Sequence, residues 1–499
     1  MTRQELPADL DAAAAGRPTR FSGGAVDVPA AVLRRLEGAC SSVDTADAER
    51  VRAGRDWWPL SVVWAVDGTN PALPAAVVKP AGTAEVAAVL EICHGARVPV
   101  VPFAGRSGVC GGSIPVFGGV AMDLTGITGI TGVDDTSLLV DVRAGTFGDD
   151  FEDELRSAHR LTAGHWPQSI ALSTVGGWVA CRGAGQYSTR YGKVEDMVAG
   201  LEVVLPTGEI VHTGGRAPRS ATGPDLTQLF VGSEGTLGVI TSVRLKVHPA
   251  PPAERRAVYG FPTFEAGLEA CRTVMRRGAT PAVLRLYDAA ESRRNFEVEG
   301  TAVLVVVDEG DPALIDSVMG VVGEECRNAE RLDDAIAARW LEHRNQLPAL
   351  DSLVRAGIVV ETIEIAGTWS ALPAIYRSAV EGLQEVEGTI TASAHQSHAY
   401  TDGACLYFTF AGRPEGDREA YYREAFAAVM KATAAHGGAL SHHHGVGINR
   451  GGYMQEHLGA AFGILASVKS VLDPNGVLNP GKLGLPSPFG DMRKEWPQP

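Results

Sequence analysis

GHWPQSIALSTVGGWVACRGAGQYSTRYGKVED, residues 164–196, sets Gly176, Gly177, Gly183, Gly185 and Gly192 among small and hydroxylated residues. Glycine at this density costs conformational entropy unless the backbone needs positive φ or a partner must come very close. Apolar residues and Trp178 interrupt the glycines, which argues for a buried segment rather than a loose surface loop. Backbone N–H groups with hydroxyls between them suit a phosphate or a flat polar ring. Two other segments share this texture: PFAGRSGVCGGS at 102–113 and VGSEGTLGVIT at 231–241. Three such segments in one chain imply one large ligand held along its length.

Working outward, the pattern around these loops is alternating strand and helix. AAVVKP reads as a strand and TAEVAAVLEICHGA as a helix, with Thr83 as N-cap and Glu85 in the first turn. VPVVPF is a strand running straight into Gly105-Arg106-Ser107-Gly108, a nucleotide-binding arrangement. Gly105 to Gly112 fits neither G-x-G-x-x-G nor a Walker A loop, so this is neither a standard dinucleotide fingerprint nor a P-loop. GGVAMDL and SLLVDVRAG follow as strands, GDDFEDELRSAHR as a helix, and LEVVLPTGEIVHT as a hairpin about a Pro-Thr-Gly turn.

Upstream, the first 70 residues have helical character, and AAVLRRLEGAC places Val32, Leu33, Leu36 and Cys40 on one face. Trp57 and Trp58 close that part as packing residues. After Pro249-Ala250-Pro251-Pro252 the texture changes. FEAGLEACRTVMRRG spaces Phe264, Leu268, Cys271 and Met275 for one helical face, closed by Gly278. Short strands and helices then alternate, which predicts a second α+β domain with an antiparallel sheet and helices on one face. An amphipathic helix starts near Asp417 and ends at Gly437; SHHHGVG, a helix over 455–471 and a Pro/Gly-rich tail complete the chain.

The 499 residues suffice for two or three domains, and 45% hydrophobic with 21% charged residues describes a soluble globular protein. The net charge of −15 argues against a nucleic-acid partner. No run of about 18 apolar residues suggests a membrane span, and the N-terminal MTRQELPADLDAAAAG lacks a signal-peptide pattern. The seven cysteines are scattered without a CxxC pair, so neither a disulfide framework nor a zinc site is implied, and a reducing cytoplasm is expected.

His442-His443-His444 is the most unusual cluster. In an extended segment His442 and His444 share one face and His443 the other. Gly445 and Gly447 follow at once, so the backbone turns sharply beside a ligand. Substrate or cofactor contact, metal binding and a structural role are all open, although no Cys or H-E-x-x-H pattern completes a metal site. In Cys405-Leu406-Tyr407-Phe408-Thr409-Phe410, alternation puts Cys405, Tyr407 and Thr409 on the more polar face. Tyr407 is either a base, its pKa lowered by charge on nearby histidines, or a packed residue with a satisfied hydroxyl. Glu234, alone among glycines, reads as a cap for backbone N–H groups. Arg182 and Arg190 flank a glycine run and either balance a pyrophosphate or lie on the surface.

From about residue 70 onward the chain resembles FAD enzymes of the vanillyl-alcohol oxidase/p-cresol methylhydroxylase type, and within them the alkyl-dihydroxyacetone-phosphate synthases. The matching segments are STVGGW at 173–178, YGKVED at 191–196, TGPDL at 222–226, GSEGTLGVIT at 232–241, DGACLYF at 402–408 and SHHHGVG at 441–447. GSEGTLGVIT marks the wider flavoprotein class; SHHHGVG with CLYF is narrower, since flavin-dependent 2-hydroxyacid dehydrogenases tend to carry Glu-His-Gly there. The resemblance implies an α+β protein: a two-subdomain FAD-binding domain over 71–255 and a cap domain with an antiparallel sheet over 256–436. A helical N-terminal region, 1–70, and a C-terminal segment, 437–499, that packs its histidine loop on the flavin domain would flank them.

The resemblance further implies that residues 102–112 cradle the FAD pyrophosphate, through Pro102, Gly105, Arg106, Ser107, Gly108, Val109, Gly111 and Gly112. Gln168, Ser169, Ser173, Thr174, Gly176, Gly177, Ala180, Arg182, Glu234, Gly235, Gly238 and Ile240 would line the rest. No histidine stands where some relatives tether flavin, so non-covalent FAD is expected. Tyr407 aligns with the acid/base tyrosine, and His442, His443 and His444 with the active-site histidine loop. The implied reaction replaces the acyl chain of acyl-dihydroxyacetone phosphate with a fatty alcohol, the flavin N5 holding the substrate carbon as an adduct. A lipid or other small-molecule substrate, peripheral membrane contact and a homodimer go with it; oxidation of a hydroxy acid or alcohol on the same fold is the alternative. One feature departs: the family's active-site arginine, about ten residues before Gly-x-x-x-Glu-Thr (here Gly357 to Thr362), falls on Leu347, with Arg344 the expected substitute. The chain ends in Trp-Pro-Gln-Pro, which is no peroxisomal signal.

Overall fold

The structure, a computed structural model, describes residues 16–346 and 349–498. Among the described residues three large sheets organise it, with a two-stranded pairing of Leu161–Thr162 and His248–Pro249 beside them. The first has four strands in the order Val43–Asp44, Ala76–Val78, Val120–Asp123, Val100–Phe103, with the last three parallel. Parallel strands are buried on both faces, and Val100, Val101, Val120, Ala121 and Met122 are all buried. The intervening helix Thr83–Ala96 forms as its sequence predicts, but Gly82 occupies the N-cap position. Thr83 is displaced by one residue because its hydroxyl is used elsewhere, donating to Glu202 Oε1 at 2.6 Å.

The second sheet is antiparallel, in the order Ile130–Asp134, Leu139–Arg143, Val239–Lys246, Val198–Val204, Ile210–Gly214. The hairpin about Pro206-Thr207-Gly208 joins its last two strands, and Gly208 takes a φ of 90° there. Val175–Cys181, from the glycine-rich stretch, is a short helix capped by Thr174, whose Oγ accepts from the Gly177 N–H. Trp178 and Val179 bury its inner face against the second sheet.

The third sheet has seven antiparallel strands, ordered Glu330–Leu332, Ala253–Phe261, Ala302–Gly310, Val283–Tyr287, Thr389–Ala399, Gly403–Gly412, Val359–Thr368. One face carries Leu284, Leu286, Leu304, Val306, Leu406, Phe408 and Phe410 against the helices Phe264–Arg276, Pro312–Glu325, Leu372–Glu385 and Arg418–Ala435. Burying each such side chain stabilises by ~1.5–3 kcal/mol. Helices on one face alone does not describe this sheet. Val303, Val305 and Val307 form a second apolar face, covered by Ile336, Ala337 and Trp340 of the helix Ala335–His343. The cause is the run Ala302–Val307, apolar at every position and so needing cover on both sides.

Residues 16–70 divide between two cores. Val32 and Leu36 of the helix Ala30–Glu37 pack on Thr83–Ala96, with Leu33 only half-buried. Pro59–Val66 joins the third sheet's helical layer. Trp58 is fully buried at that junction, its indole N–H donating to Tyr422 Oη at 2.8 Å. The C-terminal segment returns to the first sheet, where Leu478 pairs with Val100 and Asn479 Nδ2 donates to the carbonyls of Gly112 (3.0 Å) and Glu234 (2.7 Å). All seven cysteines are free. Among the described residues no helix is long and apolar enough to cross a membrane.

Candidate active site

Strand register builds the site. Tyr407 stands opposite His395 on one neighbouring strand and opposite Glu364 on the other, so the three share one face of the third sheet. Alternation along Gly403–Gly412 leaves Tyr407 and Thr409 half-buried toward this face, while Leu406, Phe408 and Phe410 fill the helical side. Across from them lies the histidine loop. His444 Nε2 is 3.3 Å from the Tyr407 hydroxyl, and the His395 ring stacks on the Tyr407 ring at 4.8 Å.

The loop is not extended, and the separation of His442 and His444 from His443 onto opposite faces does not occur. Buried Glu364 accepts the backbone N–H groups of both His442 and His444, the latter at 2.7 Å, and the Ser441 hydroxyl at 2.9 Å. Two N–H groups converging on one carboxylate curl the segment, and His442 Nδ1 meets His443 Nδ1 at 3.0 Å. Arg450 neutralises Glu364 from below at 2.7 Å and donates to the Gly445 carbonyl at 2.8 Å. Glu234 does cap backbone groups: it accepts from Val446 and from Gly447, the latter at 2.8 Å, and so fastens this loop to the first domain. Gly447 has φ 52°, and a Cβ there would collide with the Cys110 carbonyl.

Burial governs the protonation states. Desolvation pushes the Tyr407 phenol well above its usual range. It holds His442 and His443 at about 3 and His444 at about 4. The histidines are therefore neutral at pH 7, and no imidazolium lowers the Tyr407 pKa. Glu364 lies well below the carboxylate range: its burial opposes this, but the Arg450 guanidinium and the His442 backbone N–H outweigh it. His444 Nδ1 is 3.6 Å from Glu364 Oε1. With the imidazole proton on that side, a tautomer assigned from the neighbours, Nε2 is free to accept the Tyr407 O–H. Carboxylate, imidazole and hydroxyl then stand in line, with the neutral His444 placed to accept the proton of a phenol that is protonated at rest.

Arg344 takes no part in this group. Its Nη1 donates to Gln186 Oε1 at 2.9 Å, and its guanidinium lies over Trp166 and Tyr187. Leu347, where the family spacing falls, lies outside the described residues. Besides Arg450 the site holds Arg285, and the sequence reading missed both. Arg285 Nη2 is 2.6 Å from His395 Nε2, while His395 Nδ1 is 2.8 Å from buried Glu291. His395, held at about 4 mainly by burial, is a neutral bridge that donates to Glu291 and accepts from Arg285. The available signal was Arg285 standing alone in the apolar strand VLRLY; Glu364, between Ile363 and Ile365, gave the same signal.

The glycine loops divide into those the protein's own packing requires and those that leave room for a flavin. Gly105 is explained by protein packing, since a Cβ there would strike the Leu172 carbonyl. Gly108, Gly112 and Gly177 are not explained by the protein. None has positive φ, and an added Cβ would meet only a side-chain oxygen, Asp56 Oδ2 at 3.7 Å, Glu234 Oε2 at 3.5 Å and Thr174 Oγ1 at 3.2 Å respectively. Glycine at such positions serves a ligand that approaches the backbone. Ser233 Oγ, buried in GSEG, has no protein hydrogen-bond partner. These residues fit FAD, with Ser107 and Val109 in the same half-buried loop.

Other expected contacts have their side chains committed elsewhere. Ser173 Oγ accepts from the Trp178 indole at 2.7 Å and donates to the Ser169 carbonyl at 2.9 Å. Gly176 packs on Ala144, Gly235 on Pro102 and Gly238 on Val203, and Ile240 belongs to the second sheet's core. Arg106 donates to the Arg52 carbonyl, and Gly111 lies against Trp58. Ala180 lends its carbonyl to the Glu234 N–H at 2.9 Å. Gln168 is exposed and donates to the Gln346 carbonyl at 2.9 Å. Arg182 is exposed beside Glu195 at 3.3 Å, and Arg190 pairs with Asp308 at 2.6 Å. Each arginine is thus paired with a carboxylate.

A parallel sheet with glycine cradles, an antiparallel cap and a Tyr/His proton-transfer group define an FAD-dependent enzyme. Two family models match, an FAD binding domain over residues 74–214 and the C-terminal domain of FAD linked oxidases over 250–483. The chain is 30% identical over 433 residues to the uncharacterized FAD-linked oxidoreductase YgcU of Escherichia coli (strain K12), covering 82% of this chain and 89% of that protein. It is also 30% identical over 469 residues to the alkyldihydroxyacetonephosphate synthase of Trypanosoma brucei brucei, covering 85% of this chain and 75% of that one. A solved alkyldihydroxyacetonephosphate synthase superposes with a TM-score of 0.78 at 24% identity, over 96% of this chain and 89% of that chain, and so shares the fold. The chain belongs to the FAD-linked oxidase family and acts with FAD on a small-molecule substrate.

Proposed function

We propose that the chain is an alkyl-dihydroxyacetone-phosphate synthase-like enzyme, exchanging the acyl chain of acyl-dihydroxyacetone phosphate for a fatty alcohol. The observation that carries this reading is the line Glu364–His444–Tyr407, with 3.6 Å and 3.3 Å between successive members. As the Tyr407 oxygen takes a proton from the carbon beside the substrate carbonyl, its own hydroxyl proton passes to His444 Nε2, while Glu364 and Arg450 hold the histidine loop in place. Bound FAD would supply an electron-accepting ring beside that carbon. Gly108, Gly112, Gly177 and Ser233 would hold it. The Trypanosoma brucei brucei relative supports the same reading. A cytoplasmic location belongs with it, in keeping with seven unpaired cysteines.

A second reading, an FAD-linked oxidoreductase of a hydroxy acid or alcohol, is favoured by one observation. Arg344, the expected stand-in for the synthases' arginine, is held by Gln186, Trp166 and Tyr187. An anaerobic visible spectrum with acyl-dihydroxyacetone phosphate separates the two. Bleaching with release of fatty acid, and colour restored by fatty alcohol, is the result expected of the synthase. A flavin band indifferent to this substrate and bleached by hydroxy acids or alcohols would replace the first reading with the second.

A further inference from the structure

We infer that His398, His442 and His443 form a binding site for a divalent transition ion of the zinc class. The sequence offered only the consecutive histidines; the third comes from the Thr389–Ala399 strand. Their ligand nitrogens all lie within 4.8 Å of one another. One pair, the Nδ1 atoms of His442 and His443, is 3.0 Å apart. Zinc–imidazole bonds of ~2.0–2.1 Å place two nitrogens on a tetrahedral ion ~3.4 Å apart, so small side-chain adjustments close the site.

The backbone is bent to bring His398 there. The pairing with Gly403–Gly412 shifts register between Ser397 and Ala399, and His398 takes a φ of 52°. A bulge re-aims a side chain, and a non-glycine residue in the left-handed region carries strain that persists only where the surroundings enforce it. The outcome is a buried imidazole stacked on His442 at 4.8 Å and tilted to His443 at 4.9 Å.

The outer partners are those a metal-binding histidine needs. Ser188 Oγ lies 2.8 Å from His398 Nδ1, which leaves Nε2 to face the ion. The Tyr400 hydroxyl lies 2.9 Å from His442 Nε2, which leaves Nδ1. Ser188 and Tyr400 are themselves 3.2 Å apart, so one hydroxyl pair fixes both tautomers. Three neutral imidazoles without a carboxylate select zinc-like ions over magnesium or calcium. They leave a tetrahedral fourth position for water or a substrate oxygen. His444 is spared for Tyr407, so the loop divides into metal ligands and a proton acceptor.

The test is metal analysis of the full-length, flavin-loaded protein, equilibrated with zinc chloride and desalted, with zinc and flavin quantified on the same sample. The expected result is about one zinc per chain, removable by a chelator with flavin retained. His398→Ala is expected to lower zinc affinity by at least about tenfold, and Ser188→Ala, which leaves all three ligands in place, by about tenfold. Wild type retaining no zinc would overturn the site, as would both variants retaining as much as wild type. Zinc is read directly, so the result stands whichever reaction the enzyme performs.

Discussion

Glu364 and Arg450 meet at 2.7 Å with neither side chain more than 1% exposed, and the whole histidine loop hangs from this pair. Glu364 receives two loop N–H groups, a loop hydroxyl and the guanidinium; Arg450 returns a bond to the Gly445 carbonyl. Removing one charge of a buried pair leaves the other uncompensated. Glu364→Gln, close to isosteric, is expected to destabilise the protein by ~3–5 kcal/mol in denaturant titration and to abolish turnover. A loss below about 1 kcal/mol would mean that Glu234 alone seats the loop.

Tyr407→Phe removes the hydroxyl facing His444 and leaves the ring that stacks on His395. Turnover should fall by about 10²–10⁴, with flavin content and its absorption spectrum unchanged. Near-wild-type turnover would remove Tyr407 from the proton path.

Gly177 lies inside the helix Val175–Cys181, where alanine is the better helix former by ~1 kcal/mol. Gly177→Ala, whose methyl meets the capping Thr174 hydroxyl at 3.2 Å, is expected to change the stability of the flavin-free protein by no more than about 1 kcal/mol, while weakening FAD binding by about tenfold or more, equivalent to ~1.4 kcal/mol. Flavin titration with a thermal melt measures both. Equal FAD affinity would show that the cofactor does not approach this backbone.

Arg285→Lys keeps the charge and loses the planar fork that reaches His395. The expected result is a kcat/KM lower by about tenfold with flavin content intact. The Arg344→Lys variant, whose guanidinium is held by Gln186, Trp166 and Tyr187, should change kcat/KM far less.

Glu361 sits on the helical side of the same strand as Glu364, accepting from Tyr422 Oη at 2.7 Å and from the Thr362 N–H at 2.7 Å. Burial raises its carboxyl from 4.5 to about 8. The folded state therefore holds this proton where the unfolded chain releases it. The resulting stabilisation is complete below pH 4.5 and drains away as pH rises toward 8. Glu361→Gln carries no such proton, so its stability relative to wild type should rise between these limits, by up to ~1.4 kcal/mol per pH unit. Denaturant midpoints at three pH values across this window test it; parallel curves would place the proton elsewhere.

Local chemistry made much of the fold legible. The helix Thr83–Ala96, the hairpin through Val198–Val204 and Ile210–Gly214, and the Asp417-capped helix Arg418–Ala435 follow from periodicity, turn residues and caps. These are short-range effects that a chain carries with it. Glycine density likewise announced a large flat or phosphorylated ligand, and a run of three histidines beside two glycines announced a site.

What only the tertiary structure decided is which residues face one another. His395 and Glu364 lie 12 and 43 residues before Tyr407 in the chain, yet antiparallel register sets them on either side of it. A one-residue slip would send both to the helical face. His398 reaches the histidine loop only because a bulge inverts its backbone. Arg285 rather than Arg344 enters the site because its strand pairs beside the one bearing His395. The charge state of the site followed the same logic. Sequence alone suggested cationic histidines lowering a tyrosine pKa, whereas burial, a property of the packed molecule, keeps the histidines neutral and the phenol protonated.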